Sequence, residues 1–260
     1  MTTEREFTEY DNGLVIEFMP NSHRYALIED DERRTVPSVT GILGILDKPN
    51  LRRWYGKEDS IAVLEMERAG ELVGVPSEQA IYIARDRGLG AEGKRDAGAE
   101  RGTAVHDALE RFCTDGTVPA LGDYSEAVRG YVQAVCGFLI EHDPEPILTE
   151  QIVGSPTHLF AGRFDLLCTI DGVRTIVDLK TSARTYPEHH IQMAAYELAM
   201  PECGIDPPER SLIVAVAETG HYQTVEGQGK PEHFLGVLGA YKAMSSIRSA
   251  VKAAEKAVTA

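Results

Sequence analysis

The chain reads as α/β, with a mixed central sheet flanked by helices and a mainly helical elaboration ahead of it. Three features carry that reading. Residues 158–170 and 173–181 are apolar, β-branched runs joined by Asp171-Gly172, a pair suited to the positive φ of a two-residue turn, so they predict a hairpin. Ser211 to Ala217 is a continuous apolar run with Val and Ile, as in a buried strand. Helical stretches over 95–113, 124–141, 187–200 and 231–257 alternate with these strands, which places helices against a sheet.

Taken in order, residues 13–19 and 23–28 predict short strands around Pro20-Asn21-Ser22, and Thr35 to Thr40 an extended piece. Residues 41–47 and 51–57 predict short helices separated by Lys48-Pro49-Asn50, and 60–72 and 77–87 predict two more. Gly88, Gly90 and Gly93 interrupt the pattern before the helix over 95–113. A loop from Gly116 to Gly122 precedes the helix over 124–141, which Pro144 and Pro146 end. Leu148 to Val153 predicts the strand before the hairpin, and Pro187 opens the helix after it. Tyr222 to Val225 adds a strand, and 231–257 closes the chain as a long helix. Residues 1–94 are expected to elaborate the same core that residues 95–260 build.

At 260 residues and 43% hydrophobic, the chain can bury a proper core. No run approaches the roughly 18–20 apolar residues of a membrane span, so no membrane partner is expected. The opening Met-Thr-Thr-Glu-Arg-Glu lacks the regions of a signal peptide, which predicts a cytoplasmic protein. Cys113, Cys136, Cys168 and Cys203 are widely and irregularly spaced and read as small buried hydrophobes, not as a zinc or disulfide framework. The net charge of −15 opposes polyanion binding, but it is unevenly spread. Arg33, Arg34, Lys48, Arg52, Arg53 and Lys57 face only Asp47 within residues 33–57, a local balance of +5. Such a patch reads either as a solvated face or as a polyanion contact.

The Asp-Gly turn sets a register in which facing residues have numbers summing to 343. Asp165 and Asp178 then face each other, Cβ atoms roughly 5 Å apart. Like charges so placed destabilise a sheet unless something neutralises them, and a divalent cation is the simplest neutraliser. Lys180 lies on the same face as Asp178. The plainer alternative pairs Asp165 with Arg163 or Lys180 on a solvated face, and a bulge would break the register. His106 lies one turn beyond Gly102, whose helix cost of about 1 kcal/mol suggests close approach of a backbone or ligand. His106 reads equally as a partly buried helix histidine. Glu150 reaches the same face if its strand pairs beside the hairpin; otherwise it is an ordinary strand-end glutamate. Gln192 and Tyr196 share a helix face and could hold a phosphate or orient Lys180, or be a surface Gln and a core Tyr. His189 and His190 point about 100° apart, too far to chelate together easily, and are assigned a surface or DNA-facing role.

The order Gly102-Thr103-x-x-His106, Glu150, Gly162-x-x-Asp165, Asp178-x-Lys180-Thr181, then Gln192-x-x-x-Tyr196 resembles the RecB-like branch of the PD-(D/E)xK nucleases. It looks most like phage-type exonucleases similar to CRISPR-associated RecB-like nucleases. Val36-Pro37-Ser38-Val39-Thr40, Leu46-Asp47-Lys48-Pro49 and Trp54 also look like the N-terminal region of such phage proteins. The resemblance implies that His106, Asp165, Asp178 and the Leu179 carbonyl bind a catalytic ion. Lys180 would position the attacking water, Gln192 and Tyr196 would support Lys180 and the DNA backbone, and Glu150 would bind a second ion or its water. DNA contacts are expected at Arg52, Arg53, Arg101, Thr103, Thr181 and Gln192. Two departures stand out. Phe164 replaces the family's Pro, and no cysteine follows Cys203, so no iron–sulfur cluster is expected and the closing helix must stabilise by packing.

An oxygen-rich site with one imidazole suits Mg²⁺ or Mn²⁺. The expectation is a metal-dependent DNA exonuclease acting at DNA ends in recombination, repair or phage replication, in the bacterial host cytoplasm if phage-encoded. A single-strand or structure-selective endonuclease and a catalytically silent DNA-binding or scaffolding subunit are the rivals; an acid/base enzyme on a small acidic metabolite ranks behind both. Expected partners are DNA, a homo-oligomer and a single-strand annealing or replication protein. The face with Ala240, Ala243, Ala250 and Ala254 would serve either oligomer or intramolecular packing.

Overall fold

A computed structural model describes residues 5–182 and 184–259; residues 1–4, the start of the stretch read for a signal peptide, lie outside them. The N-terminal part opens with a four-stranded antiparallel meander, β1 (Glu6–Glu9), β2 (Val15–Met19), β3 (Arg24–Glu29) and β4 (Glu32–Val36). Only β2 and β3 were expected. β1 is four residues long, too short to display alternation, and the extended piece expected to reach Thr40 stops at Val36. The cause is Ser38, whose hydroxyl accepts the Gly41 N–H at 3.0 Å and starts α1 (Val39–Leu43) ahead of the expected residue 41.

The helices expected over 51–57 and 60–72 are one element, α2 (Pro49–Arg68). Pro49 sits in its first turn, where a missing N–H costs nothing, so it begins the helix and Gly56 is carried inside it. After α3 (Ser77–Asp86), α4 (Ala91–Asp115) starts ahead of Gly93, which was expected to interrupt it. Asp59 of α2 accepts the Ala91 N–H at 2.9 Å and caps α4 from outside its own sequence. α5 (Glu126–His142) follows.

The second sheet contains β5 (Glu145–Ser155), β6 (Phe160–Ile170), β7 (Val173–Lys180), β8 (Arg210–Val216) and β9 (Tyr222–Glu226), in that spatial order. β7 and β8 are parallel, joined through α6 (Pro187–Ala199), and the other neighbours are antiparallel. The architecture is thus the expected mixed sheet between helices. Asp171 and Gly172 take φ of 54° and 76°, and the pairs from Ile170↔Val173 to Leu166↔Val177 follow the register set by that turn.

α4 and α5 cover one face of this sheet, where Val105, Leu109, Val132 and Phe138 pack on Leu166, Val177 and Val214. On the other face Ile16, Leu27, Val39, Met193 and Phe234 pack on Ile152, Phe164, Ile176 and Ile213. The N-terminal meander, α1, α6 and α7 (Pro231–Thr259) therefore share one core with the central sheet. α7 departs from expectation. Phe234 and Leu238 are buried, but every residue from Lys242 to Ala257 is exposed. Packing stabilises its first three turns only, and intramolecular contact does not cover Ala240, Ala243, Ala250 or Ala254. Among the described residues no helix is long and apolar enough to cross a membrane.

Candidate metal centre

The site is built by a one-residue irregularity. β5 pairs with β6 as Pro146↔Cys168 before Ile147 and as Leu148↔Leu167 after it, so Ile147 is an extra residue in β5. Beyond it, Thr149↔Leu166 and Gln151↔Phe164 flank Glu150 and set it opposite Asp165. Glu150 holds φ of 48°, a left-handed conformation that costs a non-glycine residue about 1–3 kcal/mol. From α4, His106 reaches the same point. Its Nδ1 lies 3.0 Å from Glu150 Oε1 and 3.6 Å from Asp165 Oδ1. Donor atoms of His106, Glu150 and Asp165 lie within 4.8 Å of one another, and no other such set of three converges among the described residues.

Asp178 stands outside this set. The β6–β7 pairs stop at Leu166↔Val177, one step short of Asp165 and Asp178. Asp165 Oδ2 accepts the Leu179 N–H at 2.7 Å, so Leu179 touches the site through its amide. Asp178 Oδ2 lies 2.5 Å from Lys180 Nζ as a charge contact without an aligned hydrogen bond. Gln192 Nε2 donates to Asp178 Oδ1 at 3.3 Å and to the Tyr196 hydroxyl at 2.9 Å. Gln192 and Tyr196 thus reach Lys180 by way of Asp178. The solvated-face alternative fails, because Asp165 and Asp178 are 6% and 1% exposed and Arg163 pairs with Glu6.

Burial dominates the electrostatics. It raises the Asp165 and Asp178 carboxyls, against the pull of His106 and Lys180 on the first and Lys180 on the second. Burial opposes charge on His106, but Asp165 and Glu150 outweigh it and lift the imidazole to about 9. Burial likewise opposes charge on Lys180, and Asp178 with Asp165 more than offsets it. The imidazolium therefore stands among carboxylates where a cation would otherwise be required. One imidazole and two carboxylates form an oxygen-rich donor set that fits Mg²⁺ or Mn²⁺.

A cleft of about 430 Å³ opens on this group, lined by His106, Glu150, Asp165, Lys180, Gln192 and Tyr196. Its other wall comes from residues that sequence reasoning did not single out, among them His23, Tyr25, Ser38 and Thr40. Their only signal was their position in the Val36 to Thr40 stretch or in the strand before it. Gly162 lines the cleft too, and a Cβ there would meet Tyr196 and Val39 at 2.8 and 2.9 Å. No backbone from another element approaches Gly102, where a Cβ would meet nothing within 4 Å beyond its own helix.

The expected DNA contacts lie outside the cleft lining, Gln192 excepted. Arg101 stacks over Tyr131 with 5.4 Å to the ring centroid, Thr103 donates to the Ala99 carbonyl at 3.1 Å, and Arg52 pairs with Asp47 at 3.0 Å. Arg53 is exposed, and Thr181 is half-buried just past the end of β7. His189 and His190 are half-buried, and their Nδ1 atoms accept the Tyr186 and Gln228 amides at 3.3 and 3.2 Å.

No family model matches the chain, and no curated protein does. Solved structures are similar in part. The alkaline exonuclease LHK-Exo from Laribacter hongkongensis is 12% identical, with a TM-score of 0.36 over 49% of this chain and 70% of that one. The same enzyme in complex with dAMP is 15% identical, with a TM-score of 0.37 over 61% and 86%. SSO0001 is 13% identical, with a TM-score of 0.34 over 79% and 82%. At such identities and scores these likenesses carry no argument about what the chain does.

Proposed function

We propose that the chain is a Mg²⁺- or Mn²⁺-dependent DNA nuclease of the RecB-like type that hydrolyses phosphodiester bonds at DNA ends. The observation that carries this reading is the convergence of His106, Glu150 and Asp165 in a cleft that also holds Lys180. These three residues would hold the ion, which supplies Lewis acidity toward a phosphate oxygen and lowers the pKa of water. Lys180 stays protonated and presents a compact charge to the phosphate as negative charge builds in the transition state. Asp178 fixes the lysine head, and Gln192, braced by Tyr196, fixes Asp178.

The preference for ends rests on the motif order alone. Cleavage of end-labelled linear DNA beside a closed single-stranded circle, with Mg²⁺, Mn²⁺ or EDTA, tests the reading, with Lys180→Ala as the contamination control. Metal-dependent loss of the linear DNA only, absent in the variant, is expected. Cutting of the circle would replace it with an endonuclease. DNA binding without cleavage under either metal would replace it with a silent binding subunit.

A further inference from the structure

The distal part of α7 runs exposed beyond the body of the protein, to which Lys242 at its base is tied by donating from Nζ to the His158 carbonyl at 2.9 Å. Sixteen consecutive residues, Lys242 to Ala257, are exposed, including Met244, Ile247 and Val251 at 48%, 61% and 49%. An isolated helix of about this length is marginal in water, so such an arm gains stability from a partner. Ala240, Met244, Ile247, Val251 and Ala254 follow one another at steps of four, three, four and three. That alternation draws a narrow apolar seam along one side, the spacing by which two helices interlock. Ala243 and Ala250 beside it are small enough to let a second backbone come close.

We propose that this arm pairs with the same arm of a second copy of the chain, antiparallel. Charge selects both occupant and orientation. Residues 242–257 carry Lys242, Arg248, Lys252 and Lys256 against Glu255, a balance of +3; the whole chain carries −15, which leaves −18 for the remainder. A parallel pair would bring two −18 bodies side by side. An antiparallel pair sets them at opposite ends and lays each basic arm toward the partner's acidic body. A lipid surface fits less well, because Ser245, Ser246 and Ser249 leave the apolar seam too narrow for a membrane-facing helix. Sixteen residues span roughly 24 Å. A seam of that length falls below the ~1,200 Å² of a stable interface, so the dimer is reversible.

Sedimentation velocity of the full chain from 2 to 200 μM, beside Ile247→Glu, tests this. The wild type shifts from monomer to dimer across the range, and Ile247→Glu remains monomeric with unchanged thermal melt and DNA cleavage. A wild type that stays monomeric, or an Ile247→Glu variant that dimerises equally well, overturns the proposal. Pelleting of a monomeric wild type with phosphatidylserine vesicles would reassign the arm to a lipid surface. For orientation, in a Cys113→Ala background, a donor dye on Lys242→Cys and an acceptor on Ala257→Cys of separate copies transfer energy better than dyes both placed at Ala257→Cys. The reverse ranking excludes the antiparallel arrangement.

Discussion

Asp165 and Asp178 follow the last pair of the β6–β7 ladder, yet they direct their charges to different partners. Asp165 accepts the Leu179 amide and faces His106, while Asp178 is held by Lys180 and Gln192. The pair expected to share one ion divides into a donor group and a lysine clamp, and the two halves respond differently to substitution.

Metal addition separates them. Mn²⁺ at 100 times its Kd stabilises the fold by about 2.7 kcal/mol. That raises the melting temperature of a chain this size by several degrees. Asp165→Asn and Glu150→Gln each remove the increment, and Asp178→Asn keeps most of it while losing cleavage. Melting curves with Mn²⁺ and with EDTA read this directly. Loss of the increment in Asp178→Asn would put Asp178 among the ion's ligands, as the family resemblance implies.

Lys180→Met keeps the length of the side chain and removes its charge. Single-turnover cleavage falls roughly 10²–10³-fold, the loss typical of a transition-state charge donor. The Mn²⁺ increment persists, and stability in urea drops by about 3 kcal/mol because Asp178 is left buried without its cation. Normal cleavage by this variant would remove Lys180 from the chemistry.

His189 sets a pH limit on the loop before α6. Burial, with Lys180 nearby, lowers its imidazole to about 4 from an ordinary value near 6.5, and the neutral ring accepts the Tyr186 amide. A depressed folded-state value means stability that is present above 6.5 and is lost as pH falls through 4. The wild type should therefore lose up to about 1.4 kcal/mol per pH unit relative to His189→Gln in that window. Urea titrations at pH 7, 6, 5 and 4.5 measure it; a constant difference between the two proteins would refute the assignment.

Gly162→Ala places a methyl against Tyr196 and Val39 in a close-packed core. Overpacking of this kind costs about 1–3 kcal/mol. Cleavage slows as well, because Tyr196 braces Gln192. Urea melts and initial rates together check it, and an unchanged rate in a destabilised variant would separate Tyr196 from the site.

What was legible in the chain follows from how locally each feature is specified. The hairpin register came from two residues, Asp171 and Gly172, because a two-residue turn leaves the strands no choice of partner. The strands and helices from residue 124 onward fell close to their expected bounds for the same reason, each having its own period and its own breakers. The N-terminal half was harder. Pro49 read as a break between helices but starts α2, and Gly93 read as a break but lies inside α4, whose cap is Asp59, 32 residues upstream. A cap supplied from another helix leaves no mark beside the helix it caps. At the centre, residue types and order were readable, but the division between Asp165 and Asp178 was not. It depends on side-chain partners that β7 and α6 supply only once folded.

The extra residue at Ile147 makes the centre a matter of counting as well as chemistry. Were Ile147 to pair in turn with Leu167 and leave no bulge, the register that precedes it would continue and set Phe164 opposite Glu150, turning Glu150 to the far side of the sheet. A chain lacking Ile147 altogether would lose the bulge and keep the ladder, with Leu148↔Leu167 following Pro146↔Cys168 directly and Glu150 still opposite Asp165. The centre therefore keeps its register when this exposed, chemically inert residue is lost, whereas one residue more between Leu148 and Glu150, paired in turn, would carry Glu150 to the far side of the sheet.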